Sequence, residues 1–259
     1  SNVIGGFNNA GAYTAITNQG TIDTLTNSGN MTNFDNSGNI STIRNIGSIN
    51  TFNNSETTSL LTNLGSIDTF SNSGTINTLR NLSTVSSISN SGTITSFTNL
   101  GEILSFANSG TITTLNNLES GLAFSESLPE NYNVIFRNQG ANYGTLLVTS
   151  ASGSTELNIS SLSNVQAGIY NSVLTGVSSD NINSKTGALI GNNRSSAGFA
   201  SWALEESSPG SGIWNLDVNG DYNYFGGLAK LQNTINNTAN AMRGAFNSIT
   251  SSMNFANMT

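Results

Sequence analysis

The stretch Asn72-Ser-Gly-Thr-Ile-Asn-Thr-Leu-Arg-Asn81-Leu-Ser-Thr-Val-Ser-Ser-Ile-Ser-Asn90-Ser-Gly-Thr-Ile94 repeats itself after nine residues and, more closely, after eighteen. Working outward, the same Asn recurs without a gap at Asn9, Asn18, Asn27, Asn36, Asn45, Asn54, Asn63, Asn72, Asn81, Asn90, Asn99, Asn108 and Asn117. An apolar residue stands two places before each, from Phe7 and Ile16 to Phe106 and Leu115. Gly is usual two places after, and Ile or a substitute four places after. The residue that follows the Asn alternates small-polar and apolar: Ser37, Ile46, Ser55, Leu64, Ser73, Leu82, Ser91, Leu100, Ser109, Leu118. The true repeat is therefore eighteen residues, made of two unlike nine-residue halves.

A nine-residue period does not fit a helix of 3.6 residues per turn, and Gly, Thr and Asn disfavour one. Strands of two to four residues separated by Gly turns fit, with Gly supplying a positive φ. Stacked eighteen-residue coils of such strands form an all-β parallel β-solenoid, each residue about 4.8 Å above its equivalent. Phe, Leu and Ile then stack as interior rows. The Asn residues from Asn36 to Asn117 stack as two ladders in which each side-chain amide donates to the next. Thirteen nine-residue units make roughly 30 Å of axis at one strand spacing per coil. Two-sided and three-sided coils both accept eighteen residues.

Composition narrows the functions. The chain has 259 residues, a formal charge of −7, no His and no Cys. Thiolate catalysis, Cys zinc sites, Ser-His triads and disulfides are excluded. Seven basic residues scattered over the chain make no cationic face for nucleic acid. The 36% hydrophobic content, regularly placed, argues against disorder.

Residues 1–121 read as the regular solenoid, 122–225 as its irregular continuation with a hairpin cap, and 226–259 as a C-terminal amphipathic helix. Phe136-Arg-Asn-Gln-Gly140 reads as a decayed copy of the unit. Trp202-Ala-Leu204 and Ile213–Val218 alternate around a Ser/Pro/Gly loop, the pattern of a β-hairpin whose Trp residues cover the last coil. Leu228, Leu231, Ile235, Ala239, Met242, Phe246, Ile249 and Met253 recur at helical steps. The repeat reaches back to Ile4 and Phe7 with no polar cap, so Ile4, Phe7, Asn9 and Tyr13 form a candidate self-association end.

Three segments together resemble type V autotransporter passengers: repeats such as Asn108-Ser-Gly-Thr-Ile112, the segment Leu162-Ser-Asn-Val-Gln-Ala-Gly-Ile-Tyr170, and the terminal Leu228–Thr259 helix. Trp202–Val218 looks like the hairpin region that precedes the linker in such proteins. The resemblance implies secretion to the surface of a Gram-negative bacterium. It also implies a translocator β-barrel C-terminal to Thr259, threaded by the 228–257 helix.

No catalytic constellation stands out, and no cofactor or metal is expected. Asp217-Val-Asn219-Gly-Asp221-Tyr-Asn223 has the spacing of a calcium-loop start, but Leu228 occupies the place of the bidentate acid, so a polar turn is expected. Glu126, Glu130, Glu205 and Glu206 are the candidates for a carboxylate pair; the neighbours Glu205 and Glu206 point to opposite sides of a strand. The expected function is a non-enzymatic extracellular surface protein acting in adhesion or cell-cell and self association, with a cell-surface glycan, a protein or another copy as partner. The alternatives are a fibre subunit stacked head to tail, and a polysaccharide-active enzyme.

Overall fold

In a computed structural model of the chain, residues 3–188 and 200–220 are described. Thirteen seven-residue strands, β1 (Val3–Asn9) through β13 (Thr111–Asn117), start nine residues apart. Odd-numbered strands pair in parallel into one sheet and even-numbered strands into another, so one coil is strand, turn, strand, turn. The register is the eighteen-residue one throughout: Val85 pairs Ile67 on one side and Ile103 on the other. The coil is two-sided.

The strands are longer than the expected two to four residues. A two-residue step after each Asn suffices to reverse the chain, so a single strand fills the rest of each nine-residue half. There the third and fourth residues both face outward, and pairing skips the third: Val85↔Ile103 is followed by Ser87↔Ser105. Second, fifth and seventh positions point inward.

The fifth positions form two facing rows. Leu25, Ile43, Leu61, Leu79, Phe97 and Leu115 fill one; Phe34, Phe52, Phe70, Ile88 and Phe106 fill the other. Phe34, Phe52 and Phe70 stack with ring centroids 5.1 Å apart. Each such side chain contributes about 1.5–3 kcal/mol by leaving water. Thr58 replaces Ile in the second-position row and stays fully buried, because its hydroxyl donates to Asn54 Oδ1 at 3.0 Å.

The repeat glycines are not positive-φ residues, contrary to expectation; the positive-φ glycines, such as Gly121 and Gly140, lie outside the register. Close stacking is the reason for Gly instead. A Cβ on Gly74 would stand 2.2 Å from the carbonyl oxygen of Glu56 in the coil beneath.

Beyond Asn117 the windings continue with β14 (Leu122–Ser127) and β15 (Asn131–Val134), which stack on β12 and β13. Phe136–Gly140 is not a further coil. β16 (Phe136–Arg137) and β17 (Asn142–Tyr143) pair antiparallel across a 3-10 turn, and Phe136, Tyr143 and Tyr170 form an aromatic cluster at 4.6–5.8 Å. The step, already one short from Leu115 to Tyr132, is lengthened by the excursion, so that Tyr132 pairs next with Leu157. β18 (Leu146–Ser152), β19 (Thr155–Ile159), β20 (Gly168–Thr175) and β21 (Ile182–Ser184) then extend the two sheets.

β22 (Thr186–Ala188), β23 (Ala200–Glu206) and β24 (Ile213–Gly220) close the second sheet in antiparallel order against β20, and β23 with β24 is the expected hairpin. Both Trp residues are buried, and Trp214 Nε1 donates to the Val177 carbonyl at 2.8 Å. The expected helix over 228–257 lies outside the described residues.

Candidate functional site

The Asn ladders are built from the seventh position of every strand, which points inward beside the turn. Asn9, Asn27, Asn45, Asn63, Asn81, Asn99 and Asn117 stack along one edge of the solenoid; Asn18, Asn36, Asn54, Asn72, Asn90 and Asn108 stack along the other. Every link is made, at 2.6–3.1 Å, and every amide donates toward the later coil. On the first edge the second amide hydrogen reaches a main-chain carbonyl, as from Asn63 to Thr84 O at 3.1 Å. The ladders are thus satisfied polar lines inside an apolar body.

At the end of the first ladder the pattern needs a substitute. The chain leaves the register after Asn117, and Glu119 replaces the missing carbonyl: its Oε2 accepts from Asn99 Nδ2 at 2.7 Å, and the Ile103 N–H donates to the same carboxylate at 3.0 Å. Burial pushes the Glu119 carboxyl above its ordinary value of 4.5, more than these donors lower it. Two core hydroxyls past this point, Tyr132 Oη and Thr155 Oγ1, have no hydrogen-bond partner.

The two edges differ outside. On one, Ser37, Ser55, Ser73 and Ser91 each add a hydroxyl bond to the Asn carbonyl one coil back, at 3.0–3.5 Å. Beside them Asn53, Ser71 and Ser89 line a shallow polar groove. On the other, Ile46, Leu64 and Leu82 are 41%, 37% and 43% exposed. The alternation after the Asn signalled this difference, but not that the apolar set would face outward.

The carboxylate candidates do not converge. Glu205 and Glu206 pair opposite Asn215 and Trp214 on β24, and Glu206 accepts from the Gly212 N–H at 2.8 Å, which closes the hairpin loop and lowers its carboxyl pKa. Glu126 takes the ladder position opposite Asn108 with φ of 75°, and Glu130 docks by its N–H on the Ile112 carbonyl. Asp217 and Asn219 lie in strand β24, opposite Ala203 and Ser201, rather than in a turn. Among the described residues no group of three or more His, Cys, Asp or Glu is placed to hold a metal.

Of the candidate self-association end, Asn9 is buried in its ladder, while Ile4 and Tyr13 are 46% and 47% exposed. Phe7 is half-buried and meets the Tyr13 ring edge-on at 5.9 Å. No family model, no curated protein and no solved structure matches this chain.

Proposed function

We propose that this chain is a non-enzymatic extracellular surface protein, a rigid secreted passenger that adheres to other surfaces through many weak polar contacts along its sides. The observation that carries the reading is the repetition of identical outward groups in register. Ser71 and Ser89 face the same way one coil apart, as do Thr75, Thr93 and Thr111. Whatever glycan or protein group meets one coil meets the same chemistry about 4.8 Å further on, and linked weak contacts multiply. The autotransporter resemblance supports the bacterial surface as the location and a translocator barrel as the neighbouring element. The exposed rim at Ile4 and Tyr13 suits either a preceding winding or another copy, so the reading rests on the sides of the solenoid.

The test removes coils in whole units. Deleting residues 48–83 takes out two windings and preserves the register. Beads carrying the protein should clump with one another, or with polysaccharide- or gelatin-coated beads, and the shortened form should clump far less. Clumping that is indifferent to coil number, wherever the coils are removed, contradicts a multivalent side contact.

A further inference from the structure

We propose that the apolar edge of the solenoid docks on an anionic lipid surface, with the long axis lying along it. The inference goes beyond adhesion through the polar sides and uses the opposite edge from the serine groove.

The fold does not require apolar residues at this edge. The N–H groups of Ile46, Leu64, Leu82, Leu100 and Leu118 donate to the Asn carbonyl one coil back at 2.7–2.9 Å. Ser37, Ser55, Ser73, Ser91 and Ser109 make the same bond at 2.8–2.9 Å on the opposite edge. Ser28 shows that the apolar edge itself accepts Ser, with N–H and hydroxyl both on the Asn9 carbonyl at 2.8 and 3.0 Å. Where Leu replaces Ser the turn loses a hydrogen bond and exposes hydrocarbon. Five such residues in register form a straight ridge of roughly 19 Å at one strand spacing per coil. Ile46, Leu64 and Leu82 are exposed and Leu100 and Leu118 half-buried, and an apolar line of this kind marks a contact surface.

Charge points to the partner. The described residues hold four cations, Arg44, Arg80, Arg137 and Lys185, in a chain of net −7. Three of them flank the ridge. Arg44 and Arg80 occupy the outward row beside it, both pairing with Thr62. Arg137 at the end of β16 and Leu162 from the loop after β19 share a groove with Arg80, Leu82 and Leu100. No carboxylate pairs with any of the three arginines among the described residues. Of the acids at this edge, Glu102 begins a strand on the far flank and Glu119 is engaged by Asn99 and Ile103.

An apolar line with guanidinium groups set beside it matches a bilayer interface, where hydrocarbon enters the acyl boundary and long cationic side chains reach the phosphates. The groove that Leu82 and Leu100 share with the arginines holds about 250 Å³, short of the roughly 300 Å³ at which ordinary small-ligand pockets begin. Among the described residues no helix is long and apolar enough to cross a bilayer.

The experiment is vesicle co-sedimentation of the full chain. Phosphatidylcholine vesicles containing phosphatidylglycerol should retain it at least about tenfold better than pure phosphatidylcholine, and salt should weaken the retention. The triple variant Leu64→Ser, Leu82→Ser, Leu100→Ser copies the opposite edge and should keep the wild-type unfolding transition yet lose about tenfold or more in partition. Arg44→Gln with Arg80→Gln should also lose about twenty-five-fold, about fivefold for each arginine. The ridge variants should leave bead clumping unchanged, which separates this docking from the side contacts. Equal partition of wild type and both variants, or equal retention on neutral vesicles, overturns the proposal. So does dextran sulfate binding that the arginine variant loses and the leucine variant keeps, which would assign the edge to an acidic glycan.

Discussion

Asn72 donates its side-chain amide to Asn90 Oδ1 at 2.7 Å, and both side chains are buried one coil apart. The pair is one link of a line that runs the length of the regular solenoid. Asn72 accepts from Asn54 at 2.8 Å, so it is donor and acceptor at once. A buried amide survives in an apolar interior when its oxygen and its hydrogens are used, and stacking at one strand spacing provides both.

Replacing Asn72 with Ala removes both bonds. Asn90 Oδ1 then has no donor, while the Asn54 amide keeps the Glu56 carbonyl at 2.8 Å. One orphaned buried acceptor sets the loss at about 2 kcal/mol. Chemical denaturation should show it as a lower midpoint with unchanged slope.

Gly74→Ala and Gly11→Ala test why the repeat carries Gly. The first places a Cβ 2.2 Å from a main-chain oxygen, whereas nothing lies within 4 Å of the second. Gly74→Ala should cost about 1–3 kcal/mol, the usual penalty of overpacking, and Gly11→Ala almost nothing. If thermal unfolding finds the two equal, coil-to-coil contact is not what selects Gly.

Glu119 links stability to pH. Its folded-state value is raised, so the folded chain binds that proton more tightly than the unfolded chain. Its stabilising proton is held at low pH and lost as pH rises from the ordinary 4.5 through the raised folded value. The difference in stability between wild type and Glu119→Gln should therefore change across that window, with the wild type losing ground as pH rises. A difference curve that is flat with pH would mean the carboxylate is not buried against Asn99.

Tyr132 carries a hydroxyl the core does not use. It is fully buried, and Oη has no partner. Asn117 stands beside it but is already engaged with Glu119, Thr145 and Asn99. Tyr132→Phe should be stabilising by about 1 kcal/mol, since an unsatisfied buried hydroxyl is removed with the ring kept. A lower melting temperature for the variant would reveal a bond made by Oη.

The parts legible in the primary structure are those that recur along the axis. The recurrence of Asn every nine residues, with Phe, Leu or Ile two places earlier, implied stacking, inward rows and an amide ladder, because like side chains can meet only if windings repeat at that length. Alternation around Trp202 and Trp214 similarly implied the closing hairpin. The tertiary arrangement alone decided the rest. The number of sides depends on where each coil reverses, and it reverses only at the two-residue steps after the Asn, while the outward third and fourth residues leave the strand unbroken. The need for Gly74 comes from the Glu56 carbonyl eighteen residues away. Glu119 became a ladder terminus because the chain departs after Asn117. Leu64 and Leu82 alternate with serines either way, but only the two-sheet winding sends them to one solvent-facing edge beside Arg80. Periodicity states which residues share an environment; the path of the backbone states what that environment is.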